Sequence, residues 1–364
     1  MSKANRKKRN SGISKFVTFL KVSAILITSA LICIATYFVY LSKQVQYAAD
    51  TAYEEIEREV KREEKVETIE DNISVLFVGV DDSEKRSQGD DNTRSDALIL
   101  ATLNNKQKSV KLVSIPRDSY VYIPYVKHKD KITHAHAYGG TLASIETVEE
   151  LFDIPIDYYV KMNFNAFIDI VDALGGVNVE VPYDILELDE NDKRTVDLKA
   201  GYQLLDGREA LALARTRKKD SDIERGKRQQ EILKAIITKA ATPTSLMKYD
   251  DVIEAVGENM KTDMTFREMK GLIGYLSQGV PKMDSLYLEG TDSWEGGYYY
   301  ILNEQSLIDT KQILQNHLGV TVDRNGNFIK VPSNSSSAGS NFADEDETEE
   351  VENSTAIEKT NYRY

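Results

Sequence analysis

The stretch from 214 to 230, "ARTRKKDSDIERGKRQQ", sets Arg215, Arg217, Arg225 and Arg228 around Asp220 and Asp222, in a chain whose formal net charge is −13. The segments "DGRE" (206–209) and "SDIE" (221–224) have capping-box form, so each predicts a helix start and the arginines fall on a turn and on the first turns of a helix. In that second helix the apolar stripe Ile232, Leu233, Ile236 and Ile237 continues backwards, at helical spacing, through Gln229, Arg225 and Asp222. A solvated charged face would put these groups on the opposite side, which fits only Lys227 and part of the Lys218-Lys219 pair. Two aspartates cannot neutralise four arginines held at the inner end of a helix. A phosphate-type anion would, because the guanidinium fork binds two oxygens at once and the free N–H groups of a helix start add to the same field.

A second group lies upstream. Asp81 follows the strand-like "ISVLFVGV", Arg94 and Asp96 open "DALILATL", and Arg117 with Asp118 follows "SVKLVSI". If the second strand runs antiparallel to the other two, all of these reach one rim of a sheet. Two carboxylates meeting there need a cation between them. Oxygen-only ligands favour Mg²⁺, with Mn²⁺ as the alternative. Equally, Asp81 and Asp96 pair with Arg94, Arg117 or Lys131, and both readings stand. His134 and His136 in "THAHAYGG" share a face if that segment is a strand, but two histidines do not complete a zinc site, so structural or hydrogen-bonding roles are expected. The doublets Gly139-Gly140 and Gly175-Gly176 read as turns. No P-loop or GxSxG elbow occurs, and no nucleophile for covalent catalysis stands out.

The elements that carry these residues read as a mixed α/β domain. Strands are expected at 73–80, 96–103, 109–115, 157–163, 176–181 and 284–290. Helices are expected at 142–152, 164–174, 207–214, 222–241, 245–259, 265–278 and 304–317. Strands interleaved with helices predict three layers, α/β/α, around a mixed central sheet. "NNKQ" at 104–107 predicts an antiparallel hairpin, and "DRNG" near 323 another tight turn. Before the domain, residues 1–21 are a basic leader holding Lys3, Arg6, Lys7, Lys8, Arg9, Lys15 and Lys21 without one acidic residue. Residues 22–41 carry no charge, and at about 1.5 Å per residue they match the roughly 30 Å core of a bilayer, so they predict an uncleaved signal-anchor. The basic leader places the amino terminus inside and everything beyond the span outside the cell. The single cysteine, Cys33, falls in that span, so the exported part has no disulfide. Residues 42–70 predict a solvated helical stalk, 71–331 the catalytic domain and 332–364 a disordered acidic tail. The acidic balance and outside location exclude nucleic acid as the partner of the basic stretch.

Between about 72 and 240 the motifs "VLFVGVD", "TRSDALILATLN", "SVKLVSIPRDSYVYIP", "KITHAHAYGG", "FNAFIDIVDALGGVNVEVP", "GYQLLDGREALALARTR" and "DSDIERGKRQQEIL" together resemble the LytR-CpsA-Psr family of cell-wall proteins. The resemblance implies that family's fold and a phosphotransferase acting on a glycopolymer, such as teichoic acid or capsular polysaccharide, carried on a polyprenyl diphosphate lipid and delivered to peptidoglycan at the cytoplasmic membrane. It implies Mg²⁺ at Asp81 and Asp96. It further implies a diphosphate surrounded by Arg94, Arg117, Arg215, Arg217, Arg225, Arg228 and Gln229, with Arg117, Arg217 and Arg225 also serving the chemistry. The doublets at 81–82 and 90–91 leave the choice of metal ligand open, and the family often has asparagine where Thr133 stands. The attacking sugar hydroxyl needs a proton acceptor, for which Asp222, or second to it Asp118, is the candidate. A non-catalytic sensor of polyprenyl diphosphate in envelope maintenance would use the same arginines and is the alternative.

Overall fold

The computed structural model describes residues 27–330, apart from 34, 38, 41, 59–61, 63–65, 69, 82–92, 189–193, 218–220, 247–251, 254–258 and 323–327. Met1–Lys330 forms one unit; the second, Val331–Tyr364, which holds the expected tail, lies outside the described residues, as does the leader.

A run of apolar residues with β-branched members builds β1 (Ile73–Val80), β2 (Ser95–Asn104) and β3 (Ser109–Ser114). As the short turn predicts, β2 and β3 form an antiparallel hairpin, closed by the Gln107 amide donating to Asn104 Oδ1 at 2.8 Å. Around them come the hairpin β4 (Tyr120–Ile123) and β5 (His128–Lys131), then β6 (Tyr158–Met162), β7 (Val177–Val181), β8 (Ile185–Leu188), β9 (Arg194–Leu198) and β10 (Gly201–Leu205). The last strands are β11 (Met260–Thr262), β12 (Lys282–Tyr287), β13 (Gly290–Ser293), β14 (Tyr299–Leu302), β15 (Val320–Val322) and β16 (Phe328–Lys330). The central sheet has the order β11-β6-β1-β2-β3-β12. It is mixed: β6 is parallel to β1 and β12 to β3, while β2 and β11 run the other way.

Both faces of the sheet are covered, which is why its central strands are apolar throughout rather than alternating. On one face Leu76, Val78, Leu98, Leu100 and Val113 pack with α1 (Thr133–Phe152) and α6 (Glu304–Leu318). On the other, Ala101, Leu103, Val110 and Leu112 meet α4 (Asp222–Ala240) and α5 (Phe266–Leu276) through Leu233 and Tyr275. A separate cluster, with Val171, Val177, Val179, Leu198, Leu205 and Leu213, joins α2 (Phe164–Ala173) and α3 (Gly207–Arg215) to the ribbons β7/β10 and β8/β9.

The structure departs from two expectations. The "THAHAYGG" segment is helical, not a strand: α1 begins at Thr133 and kinks at Gly139 and Gly140. Gly140 has φ 62°, a conformation glycine adopts without strain. The described parts of the expected helix at 245–259, the end of the short helix Pro243–Leu246 and residues 252–253, are helical, and the chain is a strand by Met260. The expected stalk is neither solvated nor helical throughout. Its described residues are helical to Ala52, and Val45, Ala48, Ala49 and Ala52, at helical spacing, are all buried; Val45, Ala48 and Ala49 pack against Ile253, Phe266, Met269 and Ile273. Beyond Ala52 the chain runs along the domain, tied down by Arg58 to Asp263 at 3.2 Å and by Arg62 to Asp157 at 3.0 Å. The turn near 323 lies outside the described residues; its flanks, β15 and β16, pair antiparallel.

The Arg62–Asp157 pair is buried, with side chains 7% and 4% exposed, so removing one partner strands the other. Arg62→Ala should cost roughly 3–5 kcal/mol of stability at pH 7.5, read from denaturant unfolding of the chain. Burial lifts the Asp157 carboxyl from 3.8 to about 6. A carboxyl raised by folding contributes fully below its unfolded value, and that contribution is lost as pH rises through the folded one. The penalty of Arg62→Ala should therefore shrink at pH 5, where Asp157 takes up a proton. An equal penalty at both pH values would contradict this.

Candidate active site

The strand directions bring the charged residues together. The carboxyl ends of β1, β3 and β6 and the amino end of β2 share one rim, so Asp81, Arg94, Asp96, Arg117 and the Asn163-Phe164 step all arrive there. Helices α3 and α4 present the remaining arginines from the facing layer. Asp206 caps α3 in a complete capping box, and Ser221 Oγ accepts the Glu224 amide at the start of α4. Gly226 lets α4 lie close on β3: a Cβ there would sit 2.6 Å from Ser114 Oγ. That close approach holds Arg225 over the rim.

Between rim and helices lies a cavity of about 920 Å³. Its mouth is polar, lined by Asp81, Arg94, Asp96, Arg117, Arg215, Arg217, Arg225 and Gln229. Its body is apolar, lined by Phe77, Gly79, Ile99, Phe167, Ile170, Leu211, Ile232, Leu233 and Ile236. A pocket with a cationic mouth and a greasy body fits an amphiphile with an anionic head.

Arg117 Nη1 donates to Asp96 Oδ1 at 2.9 Å, and Asp96 remains about a third exposed. Asp81 is 8% exposed and lines the same mouth. Asp222 sits between two cations, Arg225 Nη2 at 3.2 Å and Arg217 Nε at 3.9 Å. Arg225 is the most constrained cation. It is 5% exposed, its Nε has no hydrogen-bond partner among the described residues, and burial pushes its guanidinium down to about 10, with Arg217 and Arg117 pushing the same way and Asp222 and Asp96 opposing. A buried arginine in a cluster of arginines is stabilised by an added anion. Arg215 stacks on the Phe164 ring at 4.4 Å, which fixes its plane at the edge of the apolar body.

Arg228 is placed differently from the expectation. It does not line the cavity; buried, it donates from Nε to the Leu213 carbonyl at 3.2 Å and from Nη2 to the Thr216 carbonyl at 2.6 Å. It latches the end of α3 and so positions Arg215 and Arg217. Gln229 does line the mouth, with its amide on the Ala214 carbonyl at 3.3 Å. Lys227 is a surface residue paired with Glu224 at 2.7 Å. Asp118 does not line the cavity, being held by Lys131 at 2.7 Å. His134 pairs with Asp130 at 2.8 Å, and buried His136 donates from Nδ1 to the Thr93 carbonyl at 2.7 Å, so both take hydrogen-bonding roles. Asp82, Asp90, Asp91, Lys218, Lys219 and Asp220 lie outside the described residues. The apolar body escaped the sequence reading altogether. Its trace is Phe77 and Gly79, the two half-buried positions of an otherwise buried strand.

The sequence profile of the LytR_cpsA_psr family matches residues 39–316. The chain belongs to this LytR-CpsA-Psr family. The polyisoprenyl-teichoic acid--peptidoglycan teichoic acid transferase TagT of Bacillus subtilis is 41% identical over 324 residues, spanning 87% of this chain and 99% of its own. The solved structure of TagT bound to LIIa-WTA is 43% identical, with a TM-score of 0.63 over 72% of this chain and 97% of that one. A TagT structure with bound octaprenyl pyrophosphate lipid is 40% identical, with a TM-score of 0.59 over 73% of this chain and 98% of that one. The mixed α/β architecture of the present chain is thus the LytR-CpsA-Psr architecture, and the cavity described above belongs to a fold whose solved relative holds a prenyl diphosphate.

Proposed function

We propose that this chain is a phosphotransferase that moves an anionic glycopolymer, of teichoic acid type, from a polyprenyl diphosphate carrier to a sugar hydroxyl of peptidoglycan. The observation that carries the reading is that one cavity joins an arginine-lined mouth to an apolar body: the prenyl chain takes the body and the diphosphate the mouth. Phosphoryl transfer needs positioning and charge neutralisation more than a protein nucleophile, which agrees with none standing out in the sequence. In the transfer, the acceptor hydroxyl oxygen bonds to the phosphorus bearing the glycopolymer, the bridging P–O bond breaks, and its electron pair leaves with polyprenyl phosphate. The hydroxyl proton passes to Asp222, the carboxylate beside Arg217 and Arg225. Arg117 and Arg225 counter the charge gathering on the leaving phosphate.

Among the described residues no cluster of three or more His, Cys, Asp or Glu residues stands ready for a metal. Asp81 and Asp96 at the mouth still suit Mg²⁺, which usually keeps several waters and takes one or two carboxylates together with substrate phosphate oxygens. Bound there, it would neutralise phosphate charge. Membrane anchoring belongs to the same proposal. The expected span at 22–41 begins outside the described residues, and none of the described helices is long and apolar enough to cross a membrane. Within it, however, Ile27, Leu31, Ile32 and Val39 are all more than half exposed, as lipid-facing side chains are. The basic leader then sets the catalytic domain on the outer side.

If Arg225 grips the diphosphate by its fork, Arg225→Lys should lower turnover of a lipid-linked teichoic acid analogue by ~10³-fold, since lysine keeps the charge and loses the geometry. Lys227→Ala should cost less than about tenfold. Equal damage in the two variants, or none, would refute the clamp. Asp96→Ala should severely lower Mg²⁺-supported turnover while leaving the melting temperature within about 2 °C. Wild-type turnover that persists without divalent metal, or an Asp96→Ala variant as active as wild type, would make the two carboxylates structural partners of the arginines.

A further inference from the structure

The hairpin of β13 and β14 is placed and armed for a task that the cavity does not perform. Its turn, "WEGGY" at 294–298, carries Trp294 at 77% exposure, and Gly296 and Gly297 have positive φ of 76° and 150°, so the turn is built to hold that geometry. Trp294 lies against the Tyr298 ring with centroids 5.0 Å apart. Next to them Tyr299 packs on Tyr120 at 4.8 Å, and Lys131 Nζ stands 5.6 Å from the rings of both Tyr298 and Tyr299. Large aromatic surface left in water over so many neighbouring side chains marks a contact surface.

The hairpin is also fixed to the active site. The Tyr300 amide donates to the Asp118 carbonyl at 2.8 Å, and Ser119 bridges Tyr300, so it is anchored on the loop that delivers Arg117 to the mouth. Gly290 allows the two strands to close, since a Cβ there would lie 2.7 Å from the buried Tyr300 ring. Burial, a 3.0 Å hydrogen bond to Asp292, and the charges of Asp118 and Asp222 push the Tyr298 phenol up to about 12.

We propose that the Trp294-Tyr298 surface, with Tyr299 and Tyr120 behind it, binds the glycan strand of the peptidoglycan acceptor and feeds its hydroxyl towards Asp222. This rests on the phosphotransferase reading above and adds the acceptor's place. Aromatic faces stack on the apolar faces of sugar rings, and their polar edges hydrogen-bond the hydroxyls. The charge on the hairpin selects between the two glycans of the reaction. Asp292, bonded to Tyr298, and Glu295 in the turn are exposed beside the aromatic face, which repels a polymer dense in phosphate and tolerates the undecorated acceptor. The donor's charge is met instead at the arginine mouth.

Trp294 is the only tryptophan in the chain, so its fluorescence reports on this surface alone. The full chain in detergent micelles is titrated with a soluble, undecorated peptidoglycan glycan fragment while tryptophan emission is recorded. A saturable change is expected, and Tyr298→Leu should raise its midpoint about tenfold. Poly(glycerol phosphate) should give no saturable change. A flat titration with the glycan fragment, or saturation by poly(glycerol phosphate) in its place, overturns the proposal. In transfer assays Trp294→Ala should raise the acceptor KM about tenfold and leave the donor KM unchanged; a raised donor KM with an unchanged acceptor KM would assign the surface to the donor polymer and also overturn it. Emission is read without turnover. A wild-type chain that transfers nothing would therefore refute the phosphotransferase reading, while the titration still decides the glycan surface.

Discussion

Cationic charge held in a half-dry cavity, with too few carboxylates among the described residues to balance it, is the constraint on which the rest of this structure depends. Arg225 is buried and short of hydrogen-bond partners beside Arg217 and Arg117, and Asp96 and Asp222 reach only part of that charge. Such a cluster is tolerable where an anion completes it. The surrounding architecture keeps the arginines in register for that anion. The antiparallel β1-β2-β3 arrangement gathers one set on the rim, and Gly226 allows α4 to lower the other set onto it. Arg228 spends its own donors on the Leu213 and Thr216 carbonyls, so one member of the basic stretch serves as the latch for the others.

The apolar body of the cavity supplies the other half of the specificity. The mouth alone would accept any phosphate, but a diphosphate attached to a long hydrocarbon also removes that hydrocarbon from water, at roughly 25 cal/mol per Å². On the proposed reading, head and tail recognition would sit in one cavity, with Arg215 on the Phe164 ring where the two would meet. The packed segment after the expected membrane span, fastened through Val45, Ala49, Arg58 and Arg62, couples the domain to whatever holds the amino terminus, where a loose stalk would not.

Much of this was legible in the sequence because strong local signals agreed. The central strands, the β2-β3 turn and the caps at Asp206 and Ser221 were readable from periodicity and capping chemistry, and the rim followed from one assumption about strand direction. What was not legible has a physical pattern. The "THAHAYGG" segment hid its helix because two glycines end a helix in most contexts, yet here α1 bends through Gly140 and continues. The buried stripe of Val45, Ala48, Ala49 and Ala52 hid because alanine carries little hydrophobic signal. Short ribbons such as "HKDK" at β5 and "GTDS" at β13 owe their pairing to tertiary neighbours rather than to their own propensity. The structural role of Arg228 was invisible because spacing gives the face of a helix and not the depth along it. A cavity is defined by side chains from several elements at once, so no single segment announced its apolar wall.

The most direct measurement is a calorimetric titration of the full chain, in detergent micelles, with octaprenyl diphosphate, octaprenyl monophosphate and inorganic diphosphate. If arginine mouth and apolar body act together, the lipid diphosphate should bind at least about tenfold more tightly than the lipid monophosphate, corresponding to one further charge-assisted contact of about 1.4 kcal/mol or more. Inorganic diphosphate should bind weakest of the three. Equal affinity for the two lipids would mean that the arginines do not read the diphosphate, and equal affinity for the lipid and inorganic diphosphates would mean that the apolar body does not hold the chain; either result would contradict the account.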